Sequence, residues 1–385
     1  MNITQKTFTT LACSLALVNA SAQVEILQKA ADKVNQSKNF SYTVLNTNKD
    51  FFSDDMAHST INATFINRAP GINDVPYYDV NYTMVTTTYS GSSRDIYNGK
   101  DLILLDFSNH TYRIKDGEQT GYSYQGSLPY LLNTILGDLK SGRFKAVLLS
   151  DSMVSKTLCY HIKVIPADTV KLDSRRDFLI SKANNTLVYF RNTGSGEASK
   201  GGMSLGTVHL FTEDHFSAYQ FNSNVADISA LGVPIGFKTE EKPKPLLNPG
   251  DTAPDFSLAT IDNQNLTLAQ LKGKVVLIDF TGEGCAACML AIPALNNLQQ
   301  KYKGSDVVII SINIDGTKQS VSNFIKRNHI TYPIYINGKP TGDAYHVEAI
   351  PNFYIINKQG LVSVVHEGFF EGFEQQVTGE IEKLR

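Results

Sequence analysis

Tryptophan is absent from this chain of 385 residues, so its aromatic surface comes from 18 Tyr and 20 Phe. Cysteine is scarce, with four in all, and only Cys285 and Cys288 form a Cys-x-x-Cys pair. A zinc site commonly needs a second such pair or closely spaced histidines. The eight histidines have no ligand spacing near this pair, so no metal is expected. A c-type haem attachment needs His after the second cysteine, and Met289 stands there. Surplus charge is also missing: a net charge of −2 gives no reason to expect nucleic acid or an acidic membrane surface as partner. There is no internal repeat, no low-complexity tract and, beyond the N-terminus, no apolar run long enough to cross a bilayer.

What is there suits ordinary globular domains with real cores: 42% hydrophobic and 19% charged residues. At about 100–200 residues per domain, the length predicts two or three domains. Residues 1–22 read as an export signal. Lys6 is the positive n-region, Phe8 to Val18 the apolar stretch and Ala20-Ser21-Ala22 the cleavage site. Leu11-Ala12-Cys13 offers a lipobox, but too little apolar sequence precedes Cys13, and the better cleavage site follows it. Removal of the leader leaves Cys159, Cys285 and Cys288, an odd count with Cys159 left over. The expected location is the periplasm or the cell surface, as a soluble protein.

Residues 23–240 are expected to be a mostly antiparallel β domain with a few helices. Residues 24–36 fit one amphipathic helix and 128–139 a second. Between and after them, Tyr, Thr, Val and Ile alternate with polar residues, as in Tyr77–Tyr89, Asp101–Asp106, Thr111–Lys115, Tyr160–Ile165 and Leu187–Arg191. Asn98-Gly99 is a strong two-residue hairpin turn and Asn184-Asn185 a weaker one. The charged, proline-bearing stretch Lys238–Gly250 reads as a linker, placed at 241–250. Residues 251–385 then alternate strand and helix as an α/β domain. Lys274–Phe280 and Asp306–Ile314 are buried strands. Cys288–Tyr302, Lys318–Arg327 and Glu371–Leu384 are helices, and Asn352–Ile356 pairs with Leu361–His366.

The segment TGEGCAACMLAIP lies between a buried strand and a helix, which puts Cys285 at the helix N-terminus. Unpaired N–H groups and aligned peptide dipoles there favour a thiolate. Cys288, one turn later, can close a small disulfide, so the pair is suited to thiol–disulfide exchange. A purely structural bridge is the bland alternative, with little entropic gain from so short a loop. Asp279, six residues before Cys285, is a carboxyl in a buried strand, costly unless it accepts a proton there. Pro293 falls inside the helix and is expected to kink it. Ile350-Pro351 opens a strand after a loop over Gly342–Ala349, and either a cis or a routine trans bond fits. Glu283 is the nearest charge to the pair; it could raise the Cys285 pKa or be solvated surface.

Together with the opening PGDTAPDFSLATIDNQNLTLAQLKGKVVLIDF, these positions resemble the TlpA/ResA-like, extracytoplasmic branch of the thioredoxin family over residues 246–385. The resemblance implies a thioredoxin fold and a reducing thiol–disulfide oxidoreductase. Cys285 would be nucleophile, Cys288 resolver, Asp279 proton acceptor and Pro351 a cis-proline. The backbone of Ile350 would dock an extended substrate chain, and Gly284, in place of the usual Trp, would leave an open surface beside Cys285. No cofactor beyond the redox-active Cys285–Cys288 disulfide is implied. The partners would be proteins bearing disulfides or thiols, and an electron donor in the membrane. Ala287 replaces the usual Pro inside the pair, and Ser311 stands where thioredoxin has a lysine.

Residues 24–240 carry no catalytic motif. The run RDIYNGKDLILLDFSNHTYRIKDG and the order of elements weakly resemble periplasmic lipoprotein-carrier half-barrels, which implies a curved sheet able to hold a hydrophobic ligand. Cys159, beside Tyr160 in a strand, reads as a buried small hydrophobe. Two other functions remain open. One is a thiol peroxidase, since the opening is AhpC-like although the Pro-x-x-x-Thr-x-x-Cys motif is absent. The other is a non-catalytic ligand- or client-binding protein whose thioredoxin-like domain only docks.

Overall fold

The computed structural model describes residues 22–49, 56–68, 75–86, 90–116, 122–168, 173–200, 203–242 and 244–385. All of the expected leader but its last residue, with Cys13, and the end of the Tyr77–Tyr89 run lie outside them. The chain forms two compact units, one holding most of residues 22–240 and the other most of 241–385.

In the first unit the alternating stretches become strands β1 (Asn39–Lys49), β2 (Met56–Ile66), β3 (Tyr77–Val85), β4 (Ser90–Tyr97), β5 (Asp101–Asp106) and β6 (Thr111–Asp116). Next come β7 (Phe144–Val154), β8 (Thr157–Pro166), β9 (Asp173–Ser181), β10 (Leu187–Lys200), β11 (Met203–Phe221) and β12 (Lys238–Thr239). They make one sheet in the order β12-β6-β5-β4-β3-β2-β1-β11-β10-β9-β8-β7. Neighbours from β1 to β6 pair antiparallel, as do those from β7 to β10. Lys238 and Thr239, at the start of the charged stretch, pair in parallel with Thr111 and Tyr112, ahead of the linker placed at 241–250.

Helix α1 (residues 22–35) and helix α3 (Leu128–Lys140) pack on one face of this sheet, with the short α2 (Tyr122–Gln125) before α3. Leu27, Ala31, Leu132 and Ile135 join Phe40, Phe65, Tyr78 and Phe178 in a single core. Burial of each large side chain is worth about 1.5–3 kcal/mol. Ser127 caps α3 through the Tyr130 N–H, and Pro129 sits in its first turn, where a missing N–H costs nothing. The β4–β5 turn is centred on Gly99 and Lys100 rather than on Asn98-Gly99, because Asn98 Oδ1 accepts the N–H groups of Lys100 and Asp101. Gly99 has φ +93°, and a Cβ there would fall 2.3 Å from the Tyr77 ring.

The second unit has strands β13 (Ser257–Thr260), β14 (Asn265–Thr267), β15 (Val275–Thr281), β16 (Val307–Asn313), β17 (Ile334–Ile336), β18 (Asn352–Ile356) and β19 (Val362–Glu367). Its sheet runs β14-β13-β17-β16-β15-β18-β19, with β15, β16 and β17 parallel and the rest antiparallel. The helices are α4 (Ala286–Lys301), α5 (Lys318–Arg327), α6 (Lys339–Ala344) and α7 (Phe373–Glu382). Alternate residues of β15 feed two cores: Val275 and Leu277 meet α4, α5 and α7, while Val276, Ile278 and Phe280 meet Tyr345 and Tyr354. Part of the expected loop Gly342–Ala349 is helical, since α6 opens at Lys339 with Pro340 in its first turn.

Candidate redox site

Cys285 is the N-cap residue of α4, and its Sγ accepts the backbone N–H of Cys288 at 3.0 Å. Ala286 and Ala287 are good helix formers, so the helix starts directly after Cys285 and contains Cys288. Pro293 lies inside the same helix, which continues to Lys301. Cys285 and Cys288 form a disulfide, with Cα atoms 5.2 Å apart. Cys288 is buried, Cys285 is half-buried and Gly284 beside it is exposed, so Cys285 is the more accessible of the pair. The Ile350–Pro351 peptide bond is cis, and the Ile350 carbonyl oxygen lies 3.5 Å from Cys285 Sγ. The loop between α6 and β18 thus brings Ile350 and Pro351 to the cysteine pair.

Asp279 sits within β15, the strand that leads into the cysteine loop, and is 2% exposed. Its strand partner in β16 is Ser311, whose Oγ donates to Asp279 Oδ2. The other oxygen, Oδ1, is buried with no hydrogen-bond partner among the described residues. Burial raises the Asp279 pKa to about 7, against the opposing effect of the Ser311 hydrogen bond. Tyr332 joins this cluster through Ser311; burial first, then the Asp279 charge, push its phenol well above the usual range. Sequence reasoning missed Tyr332, which precedes Pro333 just ahead of β17 and lies in no motif.

Glu283 is not solvated surface. It is 5% exposed, and its Oε1 accepts from Ser320 Oγ at 2.8 Å. The loop between β16 and α5 closes over it: a Cβ on Gly316 would fall 2.0 Å from Oε1. On the other side, a Cβ on Gly282 would fall 2.8 Å from the Asp315 carboxylate and from Ile350 Cδ1. Both glycines are required by close approach, which packs two carboxyl side chains around the residues preceding Cys285.

Among the described residues no group of three or more His, Cys, Asp or Glu could hold a metal ion. Cys159 is fully buried, and burial pushes its thiol up. The first unit contains a cleft of about 680 Å³ between the sheet and α3. Val44, Ile61, Val80 and Phe216 line it alongside Asp95 and Asp214. Burial raises both carboxyls, Asp214 to about 6, opposed by hydrogen bonds from Ser123 and Asn46 respectively. No helix among the described residues is long and apolar enough to cross a membrane.

Residues 249–365 match the AhpC/TSA family model. Thiol-disulfide oxidoreductase ResA of Bacillus cereus is 32% identical over 136 residues, which is 35% of this chain and 78% of that protein. Thioredoxin-like protein YneN of Bacillus subtilis (strain 168) is 30% identical over 135 residues, 34% of this chain and 79% of that protein. Among solved structures, a putative thiol:disulfide interchange protein DsbE from Chlorobium tepidum aligns with a TM-score of 0.34 and 26% identity, covering 36% of this chain and 98% of that one.

Proposed function

This chain belongs to the ResA family of thiol–disulfide oxidoreductases, and from that premise we propose that it reduces disulfides in exported proteins, outside the cytoplasm, through Cys285 and Cys288. The observation that carries the reading is the placement of Cys285 as N-cap of α4. Its sulfur is held by the Cys288 N–H beside the Ile350 carbonyl and the cis-Pro351. In the dithiol form the same N–H groups stabilise the Cys285 thiolate.

The thiolate attacks one sulfur of a client disulfide and the other client sulfur leaves as a thiolate. The client remains joined to Cys285 as a mixed disulfide. Cys288 gives up its proton and attacks Cys285 Sγ, releasing the client's second thiolate and leaving the Cys285–Cys288 disulfide. Asp279 accepts that proton, through water at the unpartnered Oδ1. The backbone of Ile350 docks the client chain, and Gly284 leaves room for it. Two electrons pass to the client, so the pair needs a donor; the reading assigns that to a membrane partner.

The first unit, on this reading, is the weakly lipoprotein-carrier-like half-barrel, and its cleft holds a hydrophobic ligand or a client segment. The export signal expected over residues 1–22 is part of this reading. The test is the reduction potential of the Cys285–Cys288 pair, equilibrated in glutathione or dithiothreitol buffers. A value near −270 mV, about that of thioredoxin, supports a reductase, and one near about −120 mV makes it an oxidant. Absence of any reversible disulfide would leave the non-catalytic binding reading. Peroxide reactivity far above that of a free thiol would favour the peroxidase reading, for which the chain lacks the expected motif.

A further inference from the structure

A groove of about 690 Å³ lies between α4 and the segment that runs from the end of β19 into α7. Met289, Pro293 and Asn297 line one wall, and Phe369, Phe370 and Thr378 the other. Both walls begin at the redox site. Met289 directly follows Cys288, and its N–H donates to the Cys285 carbonyl at 3.2 Å. Phe369 directly follows Gly368, whose N–H donates to the carbonyl of Pro351 at 2.9 Å. The groove is therefore continuous with the surface on which a mixed disulfide must form.

Its lining is mostly apolar, with a few charged side chains. Phe369 and Phe370 are half-buried, resting edge-on or tilted against Phe373 at 5.3 and 5.5 Å between ring centres. Pro293 is exposed although it lies inside the helix. Lys301, Glu371 and Glu374 also line it. The position just before Cys285 carries no aromatic surface, because it is Gly284. Phe369 and Phe370 supply aromatic surface in the groove instead.

We propose that this groove is a specificity site for the client polypeptide: it takes an apolar or aromatic side chain a few residues from the cysteine that is bonded to Cys285. An extended chain advances about 3.3 Å per residue, so a side chain several positions away reaches beyond the cysteine loop. The occupant is an unfolded or extended segment, since a folded client would keep such a side chain in its own core. The groove acts on recognition and leaves the exchange chemistry to Cys285 and Cys288, so the inference rests on the redox reading above.

The test uses the reduced full-length protein and an alanine-based peptide with one cysteine, presented as its glutathione mixed disulfide. A phenylalanine is stepped through the residues on both sides of that cysteine. At the favoured position the phenylalanine peptide is expected to react about tenfold faster than the all-alanine one. Phe370→Ala, which removes a wall, and Asn297→Trp, which fills the groove from an exposed position, should each shrink that advantage to within about twofold. Oxidised glutathione should react equally with all three proteins. An undiminished phenylalanine advantage in both variants, or no advantage at any position in the unaltered protein, overturns the proposal. Failure of oxidised glutathione to react with the unaltered protein would instead overturn the redox reading.

Discussion

Ser320 Oγ, in the first turn of α5, donates to Glu283 Oε1 at 2.8 Å, tying the cysteine loop to a helix that begins more than thirty residues later. The same hydroxyl belongs to the capping box of α5, where it meets the N–H of Thr317 at 2.9 Å. The carboxyl is thus fixed two residues before Cys285, where a negative charge would disfavour the Cys285 thiolate on which the proposed exchange depends. A disfavoured thiolate destabilises the dithiol, so this charge makes the pair more reducing. Glu283→Gln keeps the shape and removes the charge. The pH midpoint for alkylation of Cys285 should fall by about half a unit or more, and the reduction potential should rise. Glu283→Ala should also cost about 1–3 kcal/mol in stability by removing a packed, bonded side chain. An unchanged alkylation midpoint in the glutamine variant would show that the carboxyl only supports the loop.

Asp279 should make stability fall as pH rises. Its folded pKa, about 7, lies above the ordinary carboxylate value of 3.8. Between those values the folded protein binds more protons than the unfolded chain, so unfolding free energy declines with pH and levels off above about 7. The penalty at high pH amounts to about 4 kcal/mol at most. Asp279→Asn should therefore stabilise the oxidised protein, with a larger gain at about pH 9 than at about pH 5. Calorimetry of the two proteins at both pH values checks the sign.

The same carboxyl sets a kinetic pH dependence. On the proposed role, in which Asp279 takes the Cys288 proton, resolution of a mixed disulfide needs the ionised carboxyl, so its rate should climb through about pH 7. Asp279→Asn should abolish that inflection and slow the step by about a hundredfold. Ser311→Ala removes the hydrogen bond that holds the pKa down, and the inflection should move to higher pH. Single-turnover release of a peptide from Cys285 reads all three proteins; an inflection that stays put in the alanine variant would remove Ser311 from the proton path.

The parts of this site that sequence reasoning reaches are local ones. Cys285, Cys288 and Asp279 fall within one strand–loop–helix stretch, where spacing alone puts the cysteine at the helix start. Ile350-Pro351 is recognisable because an X-Pro pair ahead of an apolar strand is a short pattern. Glu283 reads as a candidate for solvated surface because its cover comes from Gly316 and Ser320, after the next strand. Tyr332, Phe369 and Phe370 carry no pattern of their own and acquire a role only when β17 and α7 pack beside β16 and α4. In the first unit, period-2 alternation marks strands, but their order in the sheet and the cleft above it follow from partners far apart in the chain, such as Phe40 with Phe221.

That cleft gives a last expectation. Its walls combine aliphatic and aromatic side chains with Asp214, which burial raises to about 6 and whose partner in the cleft is the Asn46 amide. Above about pH 6 the ionised carboxyl keeps that end of the cleft hydrated, and desolvating it costs a neutral apolar ligand part of its binding energy. Protonation relieves the cost. A neutral probe such as N-phenyl-1-naphthylamine should therefore bind the full-length protein more tightly as pH falls through about 6, by about threefold to tenfold. Asp214→Asn should bind it at neutral pH as tightly as the unaltered protein does at low pH, with the dependence lost. Fluorescence titrations at several pH values decide the matter: a pH-independent affinity in the unaltered protein would place the ligand away from Asp214, and no binding at all would mean that the cleft does not take apolar molecules.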